Sequence, residues 1–452
     1  MPQLNQPTTS AQRLSLGAVA STWWPLAASW LLMGVEMPIV AAVLGRLPEA
    51  EVQLAAFGGV VFPMALIIEA PVIMLLAASV RLSNSPENFR FMQRFSRVLG
   101  ISLTALHGLI AFTPLFDILV VPLIDPPEAV VEPSRIGFQC MLPFTWAVAE
   151  RRFHQGLLIR FKRQRQVGLG TVVRLLGMGI TIVVLASFAS RLPFGGATIG
   201  ALAISVGVVM EAIYARAIAL KVERGELLVA GRDEPRLDLS RTIRFYLPLA
   251  MTSVLTLAAQ PIGSAGMNRM PEALASLAIW PALGGLAFLL RSSGIAFTEV
   301  AIRHAGDANS RPALRTFAIA AGTALSLVTI LFAVSPLAET WYGAIEGLPE
   351  EMITLAKQAT WAIIPLPLLS FLASYWQGLL VEMHKTRPVS EGVAIGLATT
   401  TIVLIILAWS DVMAGAIGAS LALSLGAATQ CAWLWYSVRQ FTNDAGDESH
   451  PV

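Results

Sequence analysis

Residues 25–58, PLAASWLLMGVEMPIVAAVLGRLPEAEVQLAAFG, are read again without a gap at 248–281, PLAMTSVLTLAAQPIGSAGMNRMPEALASLAIWP. The two stretches share 13 identities in 34 positions at an offset of 223. Pro38-Ile39 answers to Pro261-Ile262, and Arg46 with Pro48-Glu49-Ala50 answers to Arg269 with Pro271-Glu272-Ala273. A second match lies late in each half: Gln155-Gly156-Leu157-Leu158 answers to Gln377-Gly378-Leu379-Leu380, and Pro143 to Pro365, both at an offset of 222. Two segments agreeing at nearly one offset, prolines and charges included, predict a duplicated chain.

The surrounding composition is that of a membrane protein. Of 452 residues, 55% are hydrophobic and 13% charged, about half the charged share of a soluble domain. Mean hydropathy is +0.68. The two cysteines, Cys140 and Cys431, both lie in apolar runs and indicate no disulfide framework. No cleavable leader is expected, because residues 1–15 lack its basic, apolar and small-residue order.

A membrane-spanning helix needs about 20 mostly apolar residues. Twelve are expected, near 20–44, 55–79, 97–122, 137–160, 168–190, 197–220, 245–267, 277–302, 315–336, 353–381, 389–409 and 412–436. Continuous apolar runs argue for helices over a β-barrel. Lys and Arg divide between the two sets of loops twenty to four. One set holds, among others, Arg81, Arg160, Arg232, Arg241 and Arg311. The other holds Arg46, Arg135, Arg191 and Arg269. The first side is therefore expected to be cytoplasmic, with both termini. The domain reading is a six-helix lobe over 1–220, a cytoplasmic linker over 221–244, a second six-helix lobe over 245–440 and a tail over 441–452. Six is even, so both copies enter the membrane from the same side, as parallel repeats about an axis along the membrane normal.

An ionisable group at membrane depth costs several kcal/mol and marks the protein interior or a wet cavity. Glu36, followed by Pro38, is the leading candidate for a coupling carboxylate; its repeat counterpart is Ala259, so the acid is not scaffold common to both copies. The alternative is a carboxylate paired with an arginine for assembly. Glu69 stands beside Ile68, the counterpart of Arg291, so one lobe offers an acid where the other offers a base. Such a pair can close on itself, bind the two ends of a substrate, or stay permanently joined. Glu150 and His154 are four apart and share a helix face, which suits a proton relay. Arg151 and Arg174 add positive charge at depth, although Arg174 can equally snorkel, and Arg152 is expected to snorkel to the interface. His107 suits a ligand role or a satisfied interhelical hydrogen bond. Gln260 is the polar group of the seventh span, Glu211 lies within the sixth, and Glu299 sits where Arg303 at i+4 can pair with it.

No Gly-rich phosphate loop, metal-ligand spacing or nucleophile elbow is present, and no cofactor or nucleic-acid partner is expected. What remains is a monomeric secondary transporter coupled to a proton or sodium gradient, or working by substrate exchange. A lipid-active membrane enzyme is the rival, with Glu150-Arg151-Arg152-His154 as its only clustered set. Buried arginines suit phosphate or carboxylate through bidentate hydrogen bonds, which favours an anionic or amphiphilic substrate over a purely cationic drug.

The layout and the run Glu36 to Gly45-Arg46-Leu47 resemble the multidrug/oligosaccharidyl-lipid/polysaccharide exporter superfamily, and within it the multidrug and toxic compound extrusion (MATE) transporters. There the acid is commonly Asp. Short runs also resemble the progressive ankylosis (ANK) family: Trp24-Pro25-Leu26, His107-Gly108-Leu109-Ile110-Ala111, His154-Gln155-Gly156-Leu157-Leu158, Thr298-Glu299 and Gln377-Gly378-Leu379-Leu380. The resemblance implies a MATE-like fold and export of pyrophosphate, citrate or a related anion across a bacterial inner membrane. A cation-coupled multidrug antiporter and a lipid-linked substrate flippase are its other implications.

Overall fold

This computed structural model describes residues 14–227 and 236–447. Arg232, the middle of the linker and the end of the tail lie outside the described residues. The described chain is all-helical. Its long helices are α1 (Leu16–Leu44), α2 (Ala50–Leu82), α3 (Pro86–Phe112), α4 (Glu128–Cys140 continued by Leu142–Arg160), α5 (Gln164–Ser187) and α6 (Gly196–Leu227). The second set is α7 (Leu239–Asn268), α8 (Ala273–His304), α9 (Ala308–Val334), α10 (Glu350–Glu382), α11 (Arg387–Ser410) and α12 (Gly415–Phe441).

Eleven of these are long and apolar enough to cross a membrane. The exception is α4, expected as a span over 137–160. It is interrupted at Met141, just before Pro143, and carries Glu150, Arg151 and Arg152 in its second segment. That segment is nevertheless mostly buried, so its charges face protein.

The duplication is written into the backbone as well as the sequence. Glu49 (φ 54°) and Glu272 (φ 55°), 223 apart, are both left-handed, as are Lys162 (φ 57°) and His384 (φ 59°), 222 apart. Asp125 (φ 59°) and Gly347 (φ 69°) form a third such pair, again 222 apart. Left-handed backbone costs a non-glycine residue about 1–2 kcal/mol. Keeping it at matched positions of both copies marks a shared corner geometry, not independent local accidents.

The lobes meet along α1 and α2 on one side and α7 and α8 on the other. Gly34 lies under Leu289, Gly285 under Pro38 and Gly59 under Leu277. A Cβ on any of these glycines would come within 3.0 Å of its neighbour. Close approach through small residues is how membrane helices gain packing energy without a hydrophobic drive. The end carrying Arg46 and Arg269 is here called the corner end and the opposite one the basic end. One apolar core runs through both lobes, joining Leu44, Leu54 and Phe57 to Leu277, Tyr342 and Leu348 at the corner end and reaching Phe89, Met92 and Tyr246 toward the basic end. Toward the basic end the second lobe has a separate core around Phe297, Phe371 and Leu434.

Helix α1 belongs to both cores. Val19 packs in the second-lobe core, and the Trp23 indole N–H donates to the Ser293 carbonyl at 2.8 Å. Beyond a break at Val35, Val40, Ala41 and Leu44 enter the shared core. Pro38 has no N–H to offer the Gly34 carbonyl, which places the break at that point. The equivalent Pro261 lies in an unbroken α7.

Candidate functional site

Beside the break in α1, side chains from five helices of the first lobe gather into a buried charge cluster. Arg151 and Gln155 are four apart on α4 and so share a face. Both point at Glu211 on α6: Arg151 Nη1 is 2.6 Å from Glu211 Oε2, and Gln155 Nε2 donates to Oε1 at 2.9 Å. Arg174 on α5 bridges two acids, with Nη1 3.3 Å from Glu36 Oε2 and Nε 3.6 Å from Glu211 Oε2. Gly170 and Gly207 let α5 and α6 approach closely enough for this. A Cβ at Gly207 would lie 2.8 Å from the Arg174 carbonyl. Glu69 on α2 lies in the field of Arg151 and Arg152 without pairing to either within ion-pair distance.

Three arginines and three glutamates therefore balance formally, yet they are not locally saturated. Glu36 Oε1, Glu69 Oε2 and the Nε atoms of Arg151, Arg152 and Arg174 are shut off from solvent without a hydrogen bond. Buried polar atoms are ordinarily paired, because each unpaired one costs about 1–3 kcal/mol. Incomplete pairing across five residues of one cluster makes it a place where an ion, water or substrate group can bind.

The second lobe contributes one arginine at matching depth. Arg291 is partly buried in α8 and, among the described residues, has no acidic partner. The expected Glu69–Arg291 pair is not formed. An axis along the membrane normal keeps the two near one depth, but Glu69 answers to first-lobe arginines instead.

Other expectations resolve against a shared site. His107 is fully buried; its Nδ1 meets the Thr145 hydroxyl at 2.8 Å, its Nε2 the Phe138 carbonyl at 3.0 Å, and its ring stacks on Phe138. It is an interhelical joint with no nitrogen left for a ligand. Glu150 and His154 share a face as expected, but that face is turned from the cluster. The Glu150 carboxylate pairs with Arg216 at 3.3 Å and lies 3.9 Å from His154 Nδ1, which bonds the Glu150 carbonyl. Gln260 and Glu299 are exposed, and no ion pair joins Glu299 to Arg303. Arg174 does not snorkel, and the Arg152 Nε is buried.

Glu211, 1% exposed, is the hub that the sequence reading left unranked. Its signal was present: a carboxylate in the middle of an apolar span, without a proline or a repeat contrast to draw attention to it. Gln155 lay inside the repeated Gln-Gly-Leu-Leu run, where it reads as scaffold.

No family model matches this chain, and no curated protein matches it. Solved structures do. An inward-facing multidrug resistance MATE family transporter of the MOP superfamily aligns with a TM-score of 0.70 at 14% identity, over 94% of this chain and 99% of that one. The lipid II flippase MurJ, in an inward closed conformation, aligns with a TM-score of 0.68 at 13% identity, over 93% and 87%. A MOP superfamily transporter from Pyrococcus furiosus, described as having a binding pocket of reverse polarity that suggests a different function, aligns with a TM-score of 0.56 at 16% identity, over 94% and 97%. At such identities the likeness is one of fold, and nothing in it singles out the ANK family. The chain is an all-α polytopic membrane protein with the fold of the MOP-superfamily transporters.

Proposed function

We propose that this chain is a monomeric secondary transporter that exports a small anionic solute by alternating access, with pyrophosphate, citrate or a related organic anion as the substrate class. The observation that carries the reading is Arg291: a partly buried guanidinium within a membrane span with no acidic partner among the described residues, added to a first-lobe cluster whose own arginines and glutamates balance. Adding one substrate anion between the lobes neutralises that surplus, and bidentate hydrogen bonds to guanidinium suit carboxylate or phosphate. The reverse-polarity pocket described for the Pyrococcus furiosus transporter supports such a departure within this fold. Glu36 and Glu69 each keep a buried oxygen without a hydrogen bond, so either can take up a coupling proton or sodium ion. The membrane in this reading is a bacterial inner membrane, and the loop charge favours the basic end in the cytoplasm.

The test is efflux from proteoliposomes loaded with pyrophosphate, citrate or a cationic dye. Anion efflux that Arg291→Gln abolishes supports the proposal. Dye movement that survives Arg291→Gln but not Glu36→Gln replaces it with a cation-coupled multidrug antiporter. Movement of a polyprenyl-phosphate lipid with no soluble solute replaces it with a flippase.

A further inference from the structure

The corner end holds a second unpaired carboxylate, outside the membrane spans and unrelated to the central cluster. Glu346 follows the short helical segment Thr340–Ile345, between α9 and α10. It is 0% exposed, and neither carboxylate oxygen has a hydrogen bond. Its backbone is fixed: Glu346 N–H donates to the Trp341 carbonyl at 2.7 Å, and Gly347 takes the left-handed conformation at φ 69°. Gly45 of the first lobe presses onto this turn, where a Cβ would lie 2.6 Å from the Glu346 carbonyl. The next residue, Arg46, reaches over to donate to the Ala344 carbonyl. Glu346 is therefore buried in a turn that the first lobe packs against.

The groups that face it are few. From α1 comes Arg46, whose guanidinium is occupied by the Ala42 and Ala344 carbonyls. From its own segment comes Tyr342, whose hydroxyl is held by Thr360 of α10 at 2.7 Å. Among the described residues no cation pairs with the carboxylate.

We infer that Glu346 is a proton-binding site that latches the corner end: it holds a proton while the lobes are closed over it and releases that proton when they part. An ionised carboxylate without partners is costly in a dry contact, whereas parting the lobes exposes it to water. Burial pushes the closed-state carboxyl up to about 8 from an ordinary 4.5. The sign follows. The closed state binds more protons, so closure is favoured below the lower value. Between about 4.5 and 8 the closed-to-open ratio falls roughly tenfold per pH unit, and above 8 it is flat.

The test uses the full chain in lipid nanodiscs, with spin labels at Ala129→Cys and Val412→Cys, both exposed at the corner end, after Cys140→Ser and Cys431→Ser. The expected result is a population of longer label separations that grows as pH rises from 6 to 8 and levels off above it. In Glu346→Gln, whose side chain mimics the protonated acid, the separation stays short throughout. A pH-independent separation in the labelled chain with Glu346 intact overturns the inference whether or not the variant folds. So does a variant that keeps the same pH response. Neither result bears on which solute is carried.

Discussion

Gly58 touches Pro281, and the two are each other's counterparts in the duplicated sequence. A residue that meets its own repeat partner lies on the axis relating the copies, so the pseudo-two-fold passes between α2 and α8 at this point. The contact works because the copies differ: a Cβ on Gly58 would sit 2.0 Å from Pro281 Cγ. The axis lies where α2 widens into a π-helical segment over Ala55–Val61. Gly58→Ala is expected to force the lobes apart or displace α8, costing about 1–3 kcal/mol as overpacking does. Gly168→Ala, with nothing within 4 Å of its new methyl, is the matched control. Thermal unfolding in detergent should show a lower Tm for the first and an unchanged or higher Tm for the second. Pro281→Ala should restore part of the loss in Gly58→Ala.

Glu211 holds Arg151, Arg174 and Gln155 together, so removing its charge strands the buried Arg151 guanidinium and leaves Arg174 with Glu36 alone. Glu211→Gln is expected to destabilise the first lobe by about 3–5 kcal/mol, the usual result of breaking one side of a buried ion pair. Glu69→Gln, which breaks no ion pair, should cost much less. Comparing the two by thermal unfolding separates a structural hub from an acid held in reserve. Equal losses would mean that Glu69 is paired in solution.

His107 is predicted to matter for stability alone. With both ring nitrogens engaged and Phe138 stacked at 4.1 Å, His107→Leu leaves the Thr145 hydroxyl unpaired at a cost of about 1–3 kcal/mol. Substrate preference and the pH profile of transport should be those of the parent. A changed substrate preference at intact stability would return His107 to the site.

The fold was legible because its signals are long and repeated. Apolar length set the helices, and the matched Arg-x-Pro-Glu-Ala corners set the duplication, which the paired left-handed Glu49 and Glu272 express in the backbone. The cluster was legible residue by residue, since each mid-span charge stands out against apolar neighbours. Its pairing was not. Sequence periodicity places Glu150 with His154 and Arg151 with Gln155, but only the packing of α4 against α5 and α6 decides which face turns to Glu211. The Glu69–Arg291 expectation failed for the same reason: equal depth about an axis does not bring two side chains across it. Glu346 was invisible because it lies in a loop rich in ordinary acids, and the turn that holds it packs against Gly45, 301 residues earlier.

Arg46 and Arg269 make the same contact twice, in opposite directions. Arg46 donates to Ala42 and crosses to Ala344. Arg269 donates to Ala265 at 2.8 Å and crosses to Pro122 at 3.1 Å and Leu123 at 3.3 Å. Ala42 matches Ala265, and Pro122 matches Ala344 at an offset of 222, so each lobe grips the other's loop by equivalent atoms. Each exposed arginine grip of this kind contributes about 1 kcal/mol in all, which converts to roughly a fivefold change in the closed-to-open ratio. Arg46→Ala and Arg269→Ala should therefore each lengthen the Ala129–Val412 label separation at pH 6 by a similar shift in population. The two contacts share no acceptor, so the double variant should show the product of the single effects, about 25-fold. The pH response should persist in Arg269→Ala, which leaves Glu346 buried. A double variant no more open than either single one would mean that the lobes hold together at the corner end through the apolar core alone.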